Sequence, residues 1–524
     1  MRVSSVLTVL ISTSLACAQY DKAMVGETQG YDSADYDMSE GAAEEPNTSG
    51  GAGAADSDDG LGSETENNAP LLVPALTNRY VFVANPDRNT VTRIDVDSLQ
   101  VITANVGVEP IVVQTSADYS KAVTFNMGSS SVSVIDANSL EVTDVDVRNN
   151  LNQLKMSPDG VWAICYHDLA GEAVNNTSGA FSYNAISIVN LENFSHFEAI
   201  AGSFPRDVQF TADSSMAVVI SDDYLAVLDL RGTEPQLRRI AITDNLIHPP
   251  SAEEVILDPE GRYALIRQYG VEQLVLVDLL TEEEPISYLT VGANPTDMDI
   301  SPDGTQAMVV ARVDKEIWIY DLQDPTLAPE VLSLPESEVF GALLLSENGE
   351  KGVLYSTASG QSRIGIWDRL SNTISLRSTV KPVSAVEMSP NSDTAILFHP
   401  KMNGDVASSS LYYNYYALSL VDVEDGFSSA YRLQAEPDAF ASSVDGQWGY
   451  YTMKDQPYLE IVHYQDFIPE ELRLPSIPVH LGAFPESNTI YISQQHDLGR
   501  ISFYSSEEQR LQTITGFELN AAIE

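Results

Sequence analysis

The sequence is poor in cysteine and in positive charge. Its two cysteines, Cys17 and Cys165, belong to no CxxC, CxxCH or Cys/His cluster, which excludes covalent c-type haem attachment and the common zinc modules. With 27 basic against 76 acidic residues the formal net charge is −49, so the surface repels nucleic acid and anionic lipid, and neither is expected as a direct partner. No GxSxG elbow and no phosphate-cradling glycine loop occurs, so no catalytic residue is predicted.

The apolar fraction, in contrast, is ample. At 43% it supports a sizeable core in a chain of 524 residues. Cys165 lies inside the apolar stretch "VWAICYH", which predicts a buried and inert thiol.

Residues 1–18 resemble a secretory leader. Arg2 precedes an apolar run from Val6 to Leu15 that is too short to span a bilayer permanently. Two cleavage schemes fit: an A-x-A site that cuts before Gln19, or the "SLAC" stretch, which resembles a bacterial lipoprotein box and would leave Cys17 as a lipidated first residue. We favour the second scheme and expect Cys17 to be the lipid anchor.

Residues 19–70 read as a linker. The segment is rich in Gly, Ala, Ser and acid and nearly free of large apolar side chains, so burial cannot offset the entropy of ordering it. We expect a disordered acidic tether between the anchored cysteine and a folded domain at 71–524.

From residue 71 onward the chain repeats a unit of about 46 residues. Each unit contains an apolar strand with period-two alternation, such as "TVTRIDV", "SVSVIDA" or "EIWIYDL". We call the Asp or equivalent near the end of this strand the marker residue. The ten marker residues are Asp95, Asp136, Asn190, Asp229, Asp278, Asp321, Asp368, Asp422, His463 and Ser505. Repetition in every unit indicates a turn-capping role for them rather than a calcium ladder.

Two further strands and a tight turn precede the marker strand in most units. The turns are typified by "SPDG" at Ser157 and Ser301. Four strands per unit with no helical pattern predict an all-β fold, a β-propeller of four-stranded blades stacked around an axis. A stretch such as "PTDMDISPDGTQAMVVARVDKEIWIYDL" resembles the YVTN or YncE-like repeats of exported bacterial propellers. The resemblance covers about 450 residues and implies the fold without a chemistry.

Ten units exceed the seven or so blades familiar in that group. They predict one wide ring of eight to ten blades, with two five-blade rings as an alternative. The final "TGFELNAAIE" is expected to add a strand to the first blade and so close the ring.

The ligand-binding face of a propeller carries the loops between second and third strands and between blades. Three histidines, His167, His399 and His496, lie at matching second-strand ends, but their units are not adjacent and we predict no metal site. The enlarged loop at 400–416 carries Tyr412, Tyr413, Tyr415 and Tyr416, and a second enlarged loop spans 168–184. Tyrosine-rich loops suit protein or glycan contact, so these seven residues form the candidate binding face.

The sequence therefore favours an exported, lipid-anchored binding platform at the cell envelope. We expect it to be a monomer that binds an envelope or extracellular protein or glycan. Two alternatives stay open: a propeller enzyme, lactonase-like or an oxidoreductase with a non-covalent cofactor, and a structural surface-coat or adhesion module. The sequence does not define a cofactor.

Overall fold

The computed structural model describes residues 74–168, 183–203, 205–246, 250, 252–268, 270–283 and 285–519. Within these ranges the chain forms forty strands and two short 3₁₀ helices, Pro86–Arg88 and Phe517–Leu519. The leader, Cys17, the acidic tether and most of the loop at 168–184 lie outside the described residues.

The forty strands form ten four-stranded antiparallel sheets, each a meander of strands consecutive in sequence. The strands of blades 1 to 5 are β1 (Ala75–Leu76), β2 (Tyr80–Asn85), β3 (Thr90–Asp95), β4 (Val101–Asn105); β5 (Pro110–Thr115), β6 (Lys121–Asn126), β7 (Ser131–Asp136), β8 (Val142–Asp146); β9 (Gln153–Met156), β10 (Trp162–Tyr166), β11 (Ala185–Asn190), β12 (His196–Ile200); β13 (Asp207–Phe210), β14 (Met216–Ile220), β15 (Tyr224–Asp229), β16 (Gln236–Ala241); β17 (Ala252–Leu257), β18 (Tyr263–Gln268), β19 (Gln273–Asp278) and β20 (Ile286–Thr290).

The strands of blades 6 to 10 are β21 (Pro295–Ile300), β22 (Gln306–Ala311), β23 (Glu316–Asp321), β24 (Glu330–Ser333); β25 (Ala342–Leu345), β26 (Lys351–Tyr355), β27 (Arg363–Asp368), β28 (Thr373–Ser378); β29 (Ala385–Met388), β30 (Thr394–His399), β31 (Tyr416–Asp422), β32 (Ser428–Leu433); β33 (Pro437–Ser442), β34 (Trp448–Met453), β35 (Tyr458–His463), β36 (Ile468–Arg473); β37 (Pro478–Ala483), β38 (Thr489–Gln494), β39 (Arg500–Ser505) and β40 (Arg510–Thr515). The sheets form a ten-bladed β-propeller, more blades than the usual four to eight.

The expected repeat register is confirmed at every blade. Each marker residue is the last residue of its blade's third strand, from Asp95 in β3 to Ser505 in β39. The capping role is also observed: Asp136 accepts hydrogen bonds from the backbone N–H of Asn138 at 3.0 Å and of Ser139 at 2.7 Å. These bonds lower the pKa of Asp136. The marker aspartates therefore build turns.

The turns between first and second strands follow the same logic. In "SPDG", the Ser157 hydroxyl donates to Asp159 at 2.6 Å and accepts from the backbone N–H of Trp162 at 2.9 Å. Gly160 has φ +69°, and a Cβ there would lie 2.6 Å from Cβ of Ser116 in the preceding blade. Glycine is required at this turn both for its backbone conformation and for close packing between blades.

The hydrophobic core consists of ten clusters, and each lies between two neighbouring blades. A single meander cannot bury both of its apolar faces, whereas a closed ring buries all of them. Ten interfaces for ten blades mean that the ring is closed. The alternatives of two five-blade rings or of eight or nine blades are wrong.

The expected C-terminal closing strand is absent as far as Leu519, and residues 520–524 lie outside the described part of the chain. Within the described residues the first blade contains only β1 to β4, all from its own repeat. The ring closes instead by side-chain packing, in which Phe517 lies in one cluster with Val81 and Ile94 of the first blade. The Thr92 hydroxyl donates to the carbonyl of Phe517 at 3.3 Å. The 3₁₀ turn at Phe517–Leu519 therefore contributes to closing the ring against the first blade.

Side chains also join the innermost strands of neighbouring blades. Gln114 on β5 accepts from the backbone N–H of Met156 on β9 at 2.8 Å, and Asp297 on β21 accepts from that of Leu343 on β25 at 2.6 Å. These bonds satisfy backbone groups that no neighbouring strand reaches.

Candidate binding face

One face of the ring carries the connections between second and third strands and between consecutive blades, and we call it the loop face. The opposite face carries the turns between first and second and between third and fourth strands, and we call it the turn face. All seven predicted site residues belong to the loop face. The three histidines lie in blades 3, 8 and 10, no two of which are neighbours, so the ring does not bring them together.

His399 is a structural residue. It is fully buried, and its Nδ1 lies 2.9 Å from the carbonyl of Pro382. Because a carbonyl only accepts, Nδ1 carries the proton and Nε2 accepts from the hydroxyl of Ser419 at 2.7 Å. Burial is the main cause that lowers the pKa of His399 to about 4. A neutral, fully bonded imidazole at this depth holds the loop face together and is closed to an outside ligand.

The other two histidines are placed differently. His167 is buried, with Nδ1 2.8 Å from the carbonyl of Asn150 and its ring 4.6 Å from that of Tyr183. Its Nε2 has no hydrogen-bond partner among the described residues, and the adjoining positions 169–182 lie outside them. His496 is exposed and accepts from the backbone N–H of Leu498 at 3.1 Å.

His399 lies at the end of the second strand of its blade, a position that is polar in several other blades as well. Asn85 donates to Thr92 at 2.8 Å, Asn126 to Ser133 at 2.8 Å and Gln494 to Ser502 at 2.5 Å. In all four blades the hydroxyl partner stands three residues before the marker residue. A Ser or Thr at that spacing, paired with a polar second-strand end, was the sequence signal for these bonds.

The tyrosine loop of blade 8, residues 400–416, is an ordered structure. Buried Lys381 donates from Nζ to the carbonyls of Lys401 at 3.0 Å and Tyr415 at 2.6 Å and so joins the two ends of the loop. Burial lowers the pKa of this lysine. Within the loop, Asn403 and Asn414 exchange two hydrogen bonds of 2.6 Å.

The loop is also tied to blade 7. The backbone N–H of Asp405 donates to the carbonyl of Gly360 at 3.0 Å, and the Ser362 hydroxyl donates to the Asp405 carboxylate. Gly404 packs so closely on Gly360 that a Cβ would lie 2.2 Å from the Gly360 carbonyl oxygen. The loop therefore bridges two blades.

This loop exposes three large apolar side chains, Met402, Leu411 and Tyr415, which together we call the apolar patch. Their exposed fractions are 53%, 78% and 44%. The Asn403–Asn414 bonds place Met402 beside Tyr415, and the guanidinium of Arg432 lies 4.2 Å from the Tyr415 ring centroid. The other three tyrosines, Tyr412, Tyr413 and Tyr416, are half-buried, and Tyr412 donates to the carbonyl of Ala430 at 3.1 Å. Of the four predicted tyrosines, only Tyr415 is exposed.

Ionisable groups with shifted pKa values are dispersed. Burial raises the pKa of Glu387 on innermost strand β29, and burial together with Glu471 raises that of Glu460 on β35 to about 7. Within the described ranges no three His, Cys, Asp or Glu side chains are grouped to hold a metal ion. Cys165 is free and buried, with its pKa raised by burial, as its sequence context predicted.

No described helix has the length and apolarity needed to cross a membrane. No protein-family model matches the chain, and no curated protein matches it in sequence.

Solved structures with a likeness to the chain are distant in sequence. Dihydro-heme d1 dehydrogenase NirN in complex with DHE is 16% identical, with a TM-score of 0.41 over 68% of this chain and 73% of that chain. A eukaryotic initiation factor is 12% identical, with a TM-score of 0.49 over 76% and 97%. The β-propeller domain of Cps50 (Swd1) from Myceliophteria thermophila is 13% identical, with a TM-score of 0.34 over 58% and 94%. Such likeness says nothing of chemistry, and the architecture follows from the sheet topology itself.

Proposed function

We propose that this protein is an exported, lipid-anchored binding platform of the cell envelope, whose loop face captures an envelope or extracellular protein or glycan. The observation that carries the proposal is the apolar patch of Met402, Leu411 and Tyr415 on a loop that Lys381 and two asparagines hold in place. A preorganised loop loses little entropy on contact, so exposed apolar area there converts efficiently into affinity.

The sequence supports the cellular setting. Residues 1–18 resemble a leader, Cys17 stands where a lipoprotein would be acylated, and the acidic linker at 19–70 would hold the ring away from the membrane. The net charge of −49 opposes nucleic acid and anionic lipid, so in this proposal the membrane is engaged only through the anchor. We also propose that the ring acts as a monomer. The YVTN or YncE-like resemblance points to the same exported class.

The test of capture uses two matched leucines. Leu411→Asp places a charge in the patch, while Leu370→Asp places one on the turn face, where Leu370 is 97% exposed. The immobilised proteins are incubated with envelope extract, and the retained component is quantified against wild type. We expect Leu411→Asp to retain at least ten-fold less of the component than wild type does, and Leu370→Asp to retain as much as wild type. Equal retention by both variants would remove the patch from the proposal.

The anchor is tested separately by palmitate labelling. Wild type should incorporate label and accumulate as a precursor in globomycin, whereas Cys17→Ser should incorporate none. Equal labelling of the two proteins would show that Cys17 is not the anchor.

A further inference from the structure

A groove with a volume of about 260 Å³ lies between blades 7 and 8. One wall is the end of β28 with the residues that follow it, Arg377 to Val380. The other wall is formed by β31 and β32 of blade 8, and Tyr412 of the tyrosine loop lies against the groove. Both β28 and β32 are outermost strands, so the groove lies on the rim of the ring.

Small side chains on blade 8 create this groove. In blade 5 the pairs Val275–Tyr288 and Val277–Ile286 face the preceding blade, and the two valines and Ile286 pack in the core cluster. The equivalent pairs in blade 8 are Ser419–Ala430 and Val421–Ser428. Ala430 therefore stands where blade 5 has a tyrosine, and Ser428 where it has an isoleucine. These two positions of blade 8 therefore carry less side-chain volume than those of blade 5.

Arg377 supplies the positive charge of the groove. Its guanidinium lies over Gly426, where a Cβ would come within 2.6 Å of Cζ, so glycine makes room for it. Its hydrogen bond within the described part of the chain goes from Nη1 to the neighbouring carbonyl of Leu376 at 3.1 Å, and it forms no ion pair there. No carboxylate lines the groove, although the chain has 76 acidic residues.

Several of the eighteen arginines in the described ranges are neutralised by a neighbouring carboxylate. Seven arginines form ion pairs with carboxylates: Arg79, Arg88, Arg148, Arg206, Arg231, Arg267 and Arg363. An arginine without a carboxylate, beside an open groove, keeps the guanidinium N–H groups that the Leu376 carbonyl does not use available for an outside anion. A planar guanidinium matches a carboxylate in a bidentate arrangement.

The remaining lining defines the rest of the ligand. Hydroxyls of Ser378 and Ser428 can donate to or accept from ligand hydroxyls. The Thr379 hydroxyl donates to the carbonyl of Lys381 at 2.6 Å and can accept, and Val380 and Val421 add apolar surface. The volume lies just below the range typical of drug-sized pockets and suits a single small ring. We propose that the groove binds a sugar acid, a hydroxylated ring with one carboxylate, either free or as a residue of an acidic glycan.

This site goes beyond the proposed function, since it needs neither the anchor nor the patch of Met402, Leu411 and Tyr415. Calorimetric titration of the full ring uses glucuronate, glucose, inorganic phosphate and an oligogalacturonate as probes. We expect glucuronate to bind at least ten-fold more tightly than glucose or phosphate. Tighter binding of the oligomer than of the monomer identifies a glycan as the source, and equal binding per residue identifies the free acid; either result supports the site.

Three variants locate the binding. Arg377→Gln should weaken glucuronate at least ten-fold, whereas Arg432→Gln, which removes an exposed arginine of the same region, should not. Ala430→Tyr fills the groove with the side chain that blade 5 uses and should abolish binding while the circular dichroism spectrum of the ring is kept. Glucuronate that does not bind, that binds no better than glucose or phosphate, or that binds Ala430→Tyr as it binds wild type would overturn the proposal. Met402→Asp changes the patch at a residue that does not adjoin the groove lining in sequence and should bind glucuronate normally, which separates this site from the capture face.

Discussion

The two interfaces that flank blade 8 share a backbone and differ in charge. On the side of blade 7, Ser419 faces the groove beside Arg377; on the side of blade 9, Glu460 occupies the position equivalent to Ser419, three residues before its marker. Glu471 is paired opposite Glu460, as Ala430 is opposite Ser419. One interface thus offers a cation and hydroxyls, and the other two carboxylates. The repeat fixes where side chains point, and substitutions at a few outer positions decide which ligands or protons each interface can hold.

The largest effect is expected where the two interfaces are alike, in their packed interiors. Leu397 packs toward blade 7 and Leu418 toward blade 9, and both are fully buried. Leu397→Ala and Leu418→Ala should each lower the free energy of unfolding by about 2–5 kcal/mol, because each leaves a cavity. Urea denaturation measures the change. A loss at one site that is several times smaller than at the other would show that the interfaces differ in their interiors as well.

A smaller effect is expected on the blade 7 side, where His399 makes the stability of the ring depend on pH. The pKa of His399 is about 4 in the folded ring and about 6.5 in the unfolded chain, so between these values the unfolded state binds more protons. Stability from the neutral imidazole is therefore complete above about pH 6.5 and declines as the pH falls, by up to about 3 kcal/mol. His399→Gln should be less stable than wild type at pH 7, but its free energy of unfolding should fall less than that of wild type on acidification to pH 4.5. Parallel pH profiles from urea denaturation would contradict this assignment.

The sequence predicted much of this fold because the repeat makes local signals redundant. Ten marker strands limited the ring to eight to ten blades, and the turn at Ser157 could be predicted from four consecutive residues. The closing contact at Phe517 could not be predicted, because it depends on which apolar side chain meets the first blade more than 400 residues away. Lys381 illustrates the same limit at the site: its bond to Tyr415 joins positions 34 apart, and no local pattern marks a lysine as buried. The groove was missed because it arises from small side chains, and Ala430 is conspicuous only once its strand is aligned with that of blade 5.

The smallest effect is expected on the blade 9 side, where Glu460 makes stability depend on pH. The direction is opposite to that for His399: stability falls as the pH rises. Glu460 is only 8% exposed and faces Glu471, and its folded pKa of about 7 lies above the unfolded value of about 4.3. The folded state therefore binds more protons between these values, and stability falls as the pH rises through this window.

Glu460→Gln cannot ionise, so it should be more stable than wild type above pH 7, by about 1 kcal/mol once solvent screening is allowed for, and equal to it near pH 4. Glu471→Gln removes the like charge and should move the midpoint of the wild-type transition to lower pH, because burial alone then raises the pKa of Glu460. Urea denaturation of the three proteins from pH 4 to 8 checks both. If Glu460→Gln gained stability at pH 4 as much as at pH 8, the gain would come from packing, and the contrast in ionisation between the two sides of blade 8 would be lost.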